Sequence, residues 1–197
     1  MKRNRLTTTL MVLAMAGFSG AMVRALAVDA GQSPADAATK KARVERGAYL
    51  VTMMGCNDCH TPWKMGAQGP EPDMTRALTG HPQDMTMPPP PPAAGPWIWH
   101  GAATNTAFAG PWGVSFTANL TPDKETGLGT WTEEMFLATM RTARHQGKGR
   151  PILPPMPVKM IGKANDEDLK SIFAYLQSLT PVKNRVPAPI DPPEGRQ

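Results

Sequence analysis

Two cysteines and a histidine stand together in the segment Cys56-Asn57-Asp58-Cys59-His60, and the 197 residues contain no other cysteine. Two thiols one helical turn apart can each add to one vinyl group of a single porphyrin, and the next residue can turn its imidazole towards the iron. The spacing Cys-x-x-Cys-His is the attachment sequence of c-type haem. We therefore predict a covalent haem, with Cys56 and Cys59 as thioether ligands and His60 as an axial ligand of the iron.

The two cysteines have three other conceivable uses: a redox-active pair, a structural disulfide or half of a zinc site. Zinc would require two more Cys or His ligands at a fixed spacing, whereas His81, His100 and His145 are scattered singly. A thioredoxin-like pair would require strand-helix-strand patterning, which this chain lacks. Haem attachment is therefore the favoured interpretation, and a second Cys-x-x-Cys-His does not occur, which predicts a single haem.

A methionine opposite the histidine would complete a six-coordinate iron and raise its reduction potential. Met156 is the first candidate, because Pro154, Pro155 and Pro157 stiffen the backbone around it and prevent a helix. Met160, in the more flexible segment that follows, is the second candidate. A histidine or an open position is the third possibility.

Three segments have the pattern of amphipathic helices. The first covers residues 42–56 and leads into the attachment sequence. The second covers residues 131–145, and either Thr130 or Thr132 can cap it. The third has Asn165 as N-cap, acidic residues in its first turn that complement the helix dipole, and one apolar face. These patterns predict an all-α fold with three main helices around one haem.

A long irregular stretch, residues 61–130, separates the first two helices. It includes a proline-rich insertion at about residues 82–96, in which Pro88–Pro92 should adopt an extended polyproline II conformation as a stiff spacer or a docking surface. Trp131 is expected to hydrogen-bond a haem propionate. Four tryptophans are expected to cover the haem and one another: Trp97, Trp99, Trp112 and Trp131.

The first 27 residues have the features of a secretory signal peptide. Three basic residues precede an apolar run over residues 10–23, and Ala25-Leu26-Ala27 supplies an A-x-A site. The run is shorter than the about 20 residues of a membrane-spanning helix. We therefore expect export to the periplasm with cleavage after Ala27, and an uncleaved amino-terminal membrane anchor is the alternative.

Cleavage there would remove four basic residues and no acidic one, which lowers the formal charge from the +5 of the whole chain to +1. The mature chain has no basic stripe with interleaved aromatics, which argues against nucleic acid as a partner. We predict a flexible tether over residues 28–41, one domain over residues 42–182, and a proline-rich tail over residues 183–197.

The order of these elements resembles a class I monohaem cytochrome c over residues 42–182. In that family a Met-Pro pair shortly precedes the final helix, and Met156-Pro157 stands ten residues before Asp166 here. Three segments look more narrowly like the cytochrome c domains that accompany periplasmic dehydrogenases, including the haem subunits of membrane-bound alcohol and gluconate dehydrogenases. Those subunits usually carry several haems. The three segments are residues 119–131, 150–157 and 166–184.

The resemblance implies a cytochrome c fold with a Pro/Gly-rich loop insertion, and an electron carrier rather than an enzyme. The implied partner is a periplasmic or membrane-bound redox protein, either a dehydrogenase or a terminal oxidase. A proline whose carbonyl accepts the haem-histidine N–H is also implied, and Pro70 is the nearest fit. The alternative is a haem peroxidase or gas sensor with a displaceable ligand, in which Arg144, His145 or His100 would serve as distal groups.

Overall fold

The computed structural model describes residues 33–90 and 96–192. The expectations for the signal segment, for residues 28–32 of the tether, for part of the proline run and for the last five residues lie outside these ranges. The five described α-helices are α1 (Pro34–Met53), α2 (Cys56–His60), α3 (Glu133–Thr142), α4 (Val158–Ile161) and α5 (Asp166–Ser178). The five described strands are β1 (Trp63–Gly66), β2 (Gly69–Pro72), β3 (His100–Gly101), β4 (Ala107–Gly110) and β5 (Gly113–Phe116).

The strands correct the expectation of an all-α fold. β1 and β2 form an antiparallel hairpin, and β3, β4 and β5 form a three-stranded antiparallel sheet in that order. All five strands lie in the stretch over residues 61–130 that lacks helical periodicity. Its backbone N–H and C=O groups still require partners, and short hairpins supply them locally.

The start of one helix differs from the prediction, and the starts of two others agree with it. α1 begins at Pro34, so residues 34–41 are helical and do not form the expected tether. Thr132, and not Thr130, caps α3, because its hydroxyl accepts from the Met135 N–H at 3.2 Å. The predicted cap of α5 is confirmed, with the Asn165 side chain accepting from the Asp168 N–H at 2.8 Å.

The main helices share one apolar core. Gly47 of α1 lies so close to α5 that a Cβ atom there would stand 1.9 Å from the Ser171 carbonyl oxygen. The rings of Phe136 in α3 and Phe173 in α5 pack with their centroids 5.3 Å apart. The buried members of this core are Leu50, Val51, Leu78, Leu128, Phe136, Leu169, Ile172, Phe173 and Leu176.

The segment after α5, which the sequence analysis describes only as a proline-rich tail from residue 183, packs against the domain over its described part. We call residues 182–190 the strap. At its far end Ile190 forms two backbone hydrogen bonds with Val114 of β5, at 2.8 and 2.9 Å. Nearer α5, the strap residue Asn184 is buried. The strap is therefore an ordered wall of the domain.

Within the described ranges, none of the helices has both the length and the apolar character that crossing a bilayer requires. The apolar run at residues 10–23 lies outside those ranges.

Candidate haem-binding site

A cavity of about 460 Å³ opens beside the attachment sequence. Its volume is within the range of small-molecule and cofactor sites, roughly 300–1,000 Å³. Buried apolar side chains from the core form much of its wall, among them Leu128, Phe136, Ile172 and Leu176. The predicted ligands Cys56, Cys59, His60 and Met156 all line this cavity.

The local backbone places the two thiols. Gly55 has a φ of 65°, which ends the preceding helical turn and lets α2 begin at Cys56. Cys56 and Cys59 are three residues apart on this helix, so both side chains lie on one face. They form no disulfide with each other.

The thiols do not have the character of a redox-active pair. Burial raises the pKa of Cys56 to about 11, and it also raises the pKa of Cys59. Catalytic and exchange-active cysteines have lowered pKa values. The raised values therefore disfavour the thioredoxin-like interpretation of Cys-x-x-Cys.

The imidazole of His60 is buried, and its Nδ1 donates to the Ala118 carbonyl oxygen at 2.8 Å. This hydrogen bond assigns the proton to Nδ1 and leaves the lone pair on Nε2, as a metal-binding imidazole requires. Burial lowers the pKa of His60, and the bond to Ala118 opposes that shift. The neutral ring is therefore the favoured form.

The acceptor for His60 corrects the expectation for Pro70. Pro70 lies in the exposed part of β2, opposite Met65 of β1. Backbone hydrogen bonds from Gly80 to His60 and from Leu120 to Leu78 instead bring the segment after β5 alongside α2. Ala118 is 58 residues from His60 in the sequence, and no local pattern could have singled it out.

The two methionine candidates differ in position. Met156 lines the cavity and is half-buried, whereas Met160 is 65% exposed and does not line it. The Ser115 hydroxyl of β5 donates to the Pro154 carbonyl at 2.6 Å, which fixes the loop before Met156. Only Met156 of the pair shares the cavity with His60, and its bond to iron stays a prediction.

The four tryptophans do not act together as expected. Trp131 alone among them lines the cavity, where its ring meets the His145 ring edge-on at 5.0 Å. Trp97 and Trp99 are 71% and 43% exposed and line a separate surface cleft. Hydrogen bonding between Trp131 and a propionate stays a prediction.

The groups proposed for the alternative functions are also dispersed. His145 lines the cavity, but His100 and Arg144 do not. Over the part of the chain that the structure describes, no cluster of three or more His, Cys, Asp or Glu side chains could hold a metal ion. The zinc interpretation therefore has no support in these residues.

Ala118, Arg150 and Arg185 are among the cavity residues that the sequence analysis did not single out. The two arginines are exposed at the cavity and place positive charge beside a largely apolar space. Two thiols, an imidazole with a free nitrogen, a thioether, apolar walls and cations together match the chemistry of a c-type haem, which is apolar with two carboxylates. The donor set therefore fits this cofactor.

No protein-family model matches the chain. Three relatives cover most of it. The fructose dehydrogenase cytochrome subunit of Gluconobacter japonicus is 27% identical over 189 residues, which are 96% of this chain and 29% of the relative. The cytochrome c subunit of the quinone alcohol dehydrogenase of Gluconobacter oxydans is 25% identical over 170 residues, which are 86% of this chain and 28% of the relative.

The cytochrome c subunit of the gluconate 2-dehydrogenase of Pantoea cypripedii is 26% identical over 149 residues, which are 75% of this chain and 26% of the relative. The chain thus spans less than a third of the length of each of these three relatives. Whether it belongs to the single-haem class stays a prediction. The expected resemblance is confirmed: the chain is similar to the cytochrome c subunits of dehydrogenases.

Proposed function

We propose that this chain is a c-type cytochrome that carries one covalent haem and transfers single electrons between a dehydrogenase and a further redox protein. The observation that carries the proposal is the convergence of Cys56, Cys59, His60 and Met156 on one largely apolar cavity. The relatives are cytochrome subunits of dehydrogenases, which supports an electron-transfer subunit rather than a catalytic one.

A bound haem would supply a one-electron couple between Fe(II) and Fe(III). Cys56 and Cys59 would hold it through thioethers, while His60 Nε2 and the Met156 sulfur would ligate its iron. The Ala118 carbonyl keeps the His60 ring in one orientation and makes Nε2 more basic. With His60 and Met156 both bound to the iron, the site would exchange electrons without making or breaking a substrate bond.

The apolar wall has a second role, which is electrostatic. Leu128, Phe136, Ile172 and Leu176 are each at most 5% exposed and give the cavity an apolar wall. An apolar surrounding would disfavour the more highly charged Fe(III) state of a bound haem, and a methionine ligand would act in the same direction. Both features favour a high reduction potential, which suits an acceptor of electrons from a dehydrogenase.

The proposed location is the periplasm, because of the signal-like residues 1–27. A mature chain with a formal charge of only +1 would exert little electrostatic steering. Association with its partner, a dehydrogenase or a terminal oxidase, should therefore depend weakly on salt.

The test is to produce the full chain in a host that attaches c-type haem in its periplasm. We expect one haem per chain that survives a denaturing gel, and none in the variant that combines Cys56→Ser with Cys59→Ser. A colourless protein with the mass of the bare polypeptide would refute the proposal.

Spectra of the ferric protein then test the axial ligand. Met156→Ala should abolish the sulfur charge-transfer band at the red end and lower the potential, whereas the matched variant Met160→Ala should do neither. High-spin features in the unmodified protein would instead favour the peroxidase or gas sensor, with His145 as the distal group.

A further inference from the structure

The strap contributes to the wall of the cavity. Arg185, Val186 and Pro189 all line it, although they follow the last helix of the domain. The cavity is thus enclosed partly by a segment whose sequence carries no haem motif. Arg185 is the only charged residue among these three.

The backbone of Arg185 is held in place by its neighbours. The buried Asn184 donates from Nδ2 to the carbonyls of Thr79 and His81, at 2.7 and 2.8 Å, and its Oδ1 accepts from the Gln83 N–H at 2.9 Å. The Arg185 N–H itself donates to Gln83 Oε1 at 2.9 Å. The Arg185 side chain therefore extends from a fixed point, which lowers the entropy cost of binding a ligand.

The guanidinium of Arg185 has no anionic partner among residues 33–90 and 96–192. Its neighbour Lys183 instead pairs with Glu125, with 2.7 Å between Nζ and Oε2. Arg185 is thus an exposed cation at the edge of the cavity whose charge is not neutralised within the described protein.

The other charged or titratable groups that line the cavity do not neutralise the positive charge of Arg185. Glu125 is engaged by Lys183, and Asp58 lies on α2 between the two cysteines. Among the described residues, the Arg150 side chain donates only to the neighbouring Pro151 carbonyl, at 3.3 Å. Besides these, His60 and His145 face the cavity, and neither supplies a negative charge.

We propose that the strap is part of the haem site and that Arg185 binds a propionate carboxylate of the haem. This inference rests on the proposed function. A planar guanidinium matches a carboxylate with two parallel N–H···O bonds, and the porphyrin brings two carboxylates to a cavity with two such cations. Because the hydrogen bonds of Asn184 hold the strap in place, they also position the arginine that binds the propionate edge of the haem.

The test compares Arg185→Gln, Arg185→Lys and the control Lys124→Gln in the haem-loaded full chain. Lys124 is exposed and does not line the cavity, so its variant removes the same charge from the nearby surface. The measurement is the midpoint potential from pH 5 to 9, by spectroelectrochemical titration. The Arg185 cation would lower the pKa of a propionate, so Arg185→Gln should raise the pH at which the propionate ionises by about one unit or more. The same cation would disfavour Fe(III), so Arg185→Gln should also lower the midpoint potential at neutral pH.

Arg185→Lys keeps the positive charge but loses the planar guanidinium, which can form two parallel hydrogen bonds to a carboxylate. It should therefore raise the ionisation pH of the propionate less than Arg185→Gln does. If Arg185→Gln does not accumulate, the lysine variant decides, because an unchanged profile would overturn the inference. If Arg185→Gln and Lys124→Gln have the same midpoint potential over the whole pH range, the inference is overturned while the proposed function stays intact. A colourless unmodified protein would overturn both.

Discussion

Gly47 offers a sharp test of how the helices are held around the site. It is buried in α1, and a Cβ atom there would stand 1.9 Å from the Ser171 oxygen and 2.7 Å from the Tyr175 Cβ of α5. Ordinary contacts begin at 3.4 Å, so Gly47→Ala requires the two helices to separate locally by about 1.5 Å. Because the nearest atom is backbone, no side-chain rotation can relieve this contact.

Two opposing effects set the magnitude. Overpacking a core costs roughly 1–3 kcal/mol, and a backbone contact this short belongs at the upper end. Replacing a helical glycine by alanine gains about 1 kcal/mol of helix propensity. We therefore expect Gly47→Ala to lower the free energy of unfolding by about 2 kcal/mol.

The control for helix propensity is Ala42→Gly, at an exposed position of the same helix. It should destabilise the protein by about 1 kcal/mol without changing any close contact. Both variants are measured by guanidinium unfolding of the haem-loaded chain, followed by far-ultraviolet circular dichroism. If Gly47 were an ordinary helical glycine, its alanine variant would be stabilised by the amount that Ala42→Gly loses, and that result would refute the close crossing.

Three further expectations concern the cofactor, the strap and a surface turn. The chain with Cys56→Ser and Cys59→Ser should not fold, because the haem fills much of the core; a cooperative thermal transition in that variant would contradict this. Asn184→Ala should cost about 3 kcal/mol in guanidinium unfolding, since it leaves buried carbonyls without donors, while Lys183→Ala should cost less than about 1 kcal/mol. The pKa of Asp123 is lowered chiefly by the hydrogen bond from a threonine hydroxyl. The ionised Asp123 therefore stabilises the fold at pH values above the ordinary pKa of a carboxyl group, and this stabilisation is lost as the pH falls through the lowered pKa. Asp123→Asn should therefore be less stable than the unmodified protein at pH 7 and should approach it in acid, and a difference independent of pH would count against this assignment.

Features that depend on neighbouring residues could be predicted from the sequence. The attachment segment forms the short helix α2, and Asn165 caps α5 as its side chain and position indicated. The apolar face of α5 is buried at Leu169, Ile172 and Leu176, at spacings of three and four residues. Each of these signals lies within one or two helical turns.

Features that depend on distant pairing could not be predicted in this way. The hairpins between α2 and α3 follow from backbone pairing in a stretch without clear alternation of apolar and polar residues. The acceptor for His60 is a backbone carbonyl. Because every residue type has a backbone carbonyl, the sequence could not indicate Ala118. The contacts of the strap could not be predicted either, because the sequence does not show which groups the Asn184 side chain binds.

The segment of residues 114–118 shows why these distant contacts matter most at the site. Val114 holds the strap through Ile190, Ser115 holds the methionine loop through Pro154, and the Ala118 carbonyl holds His60. One short piece of chain therefore positions both proposed axial ligands and the wall that carries the proposed propionate partner. A perturbation of this segment should alter the spectrum and the potential together, whereas a perturbation of the helical core, such as Gly47→Ala, should act first on stability.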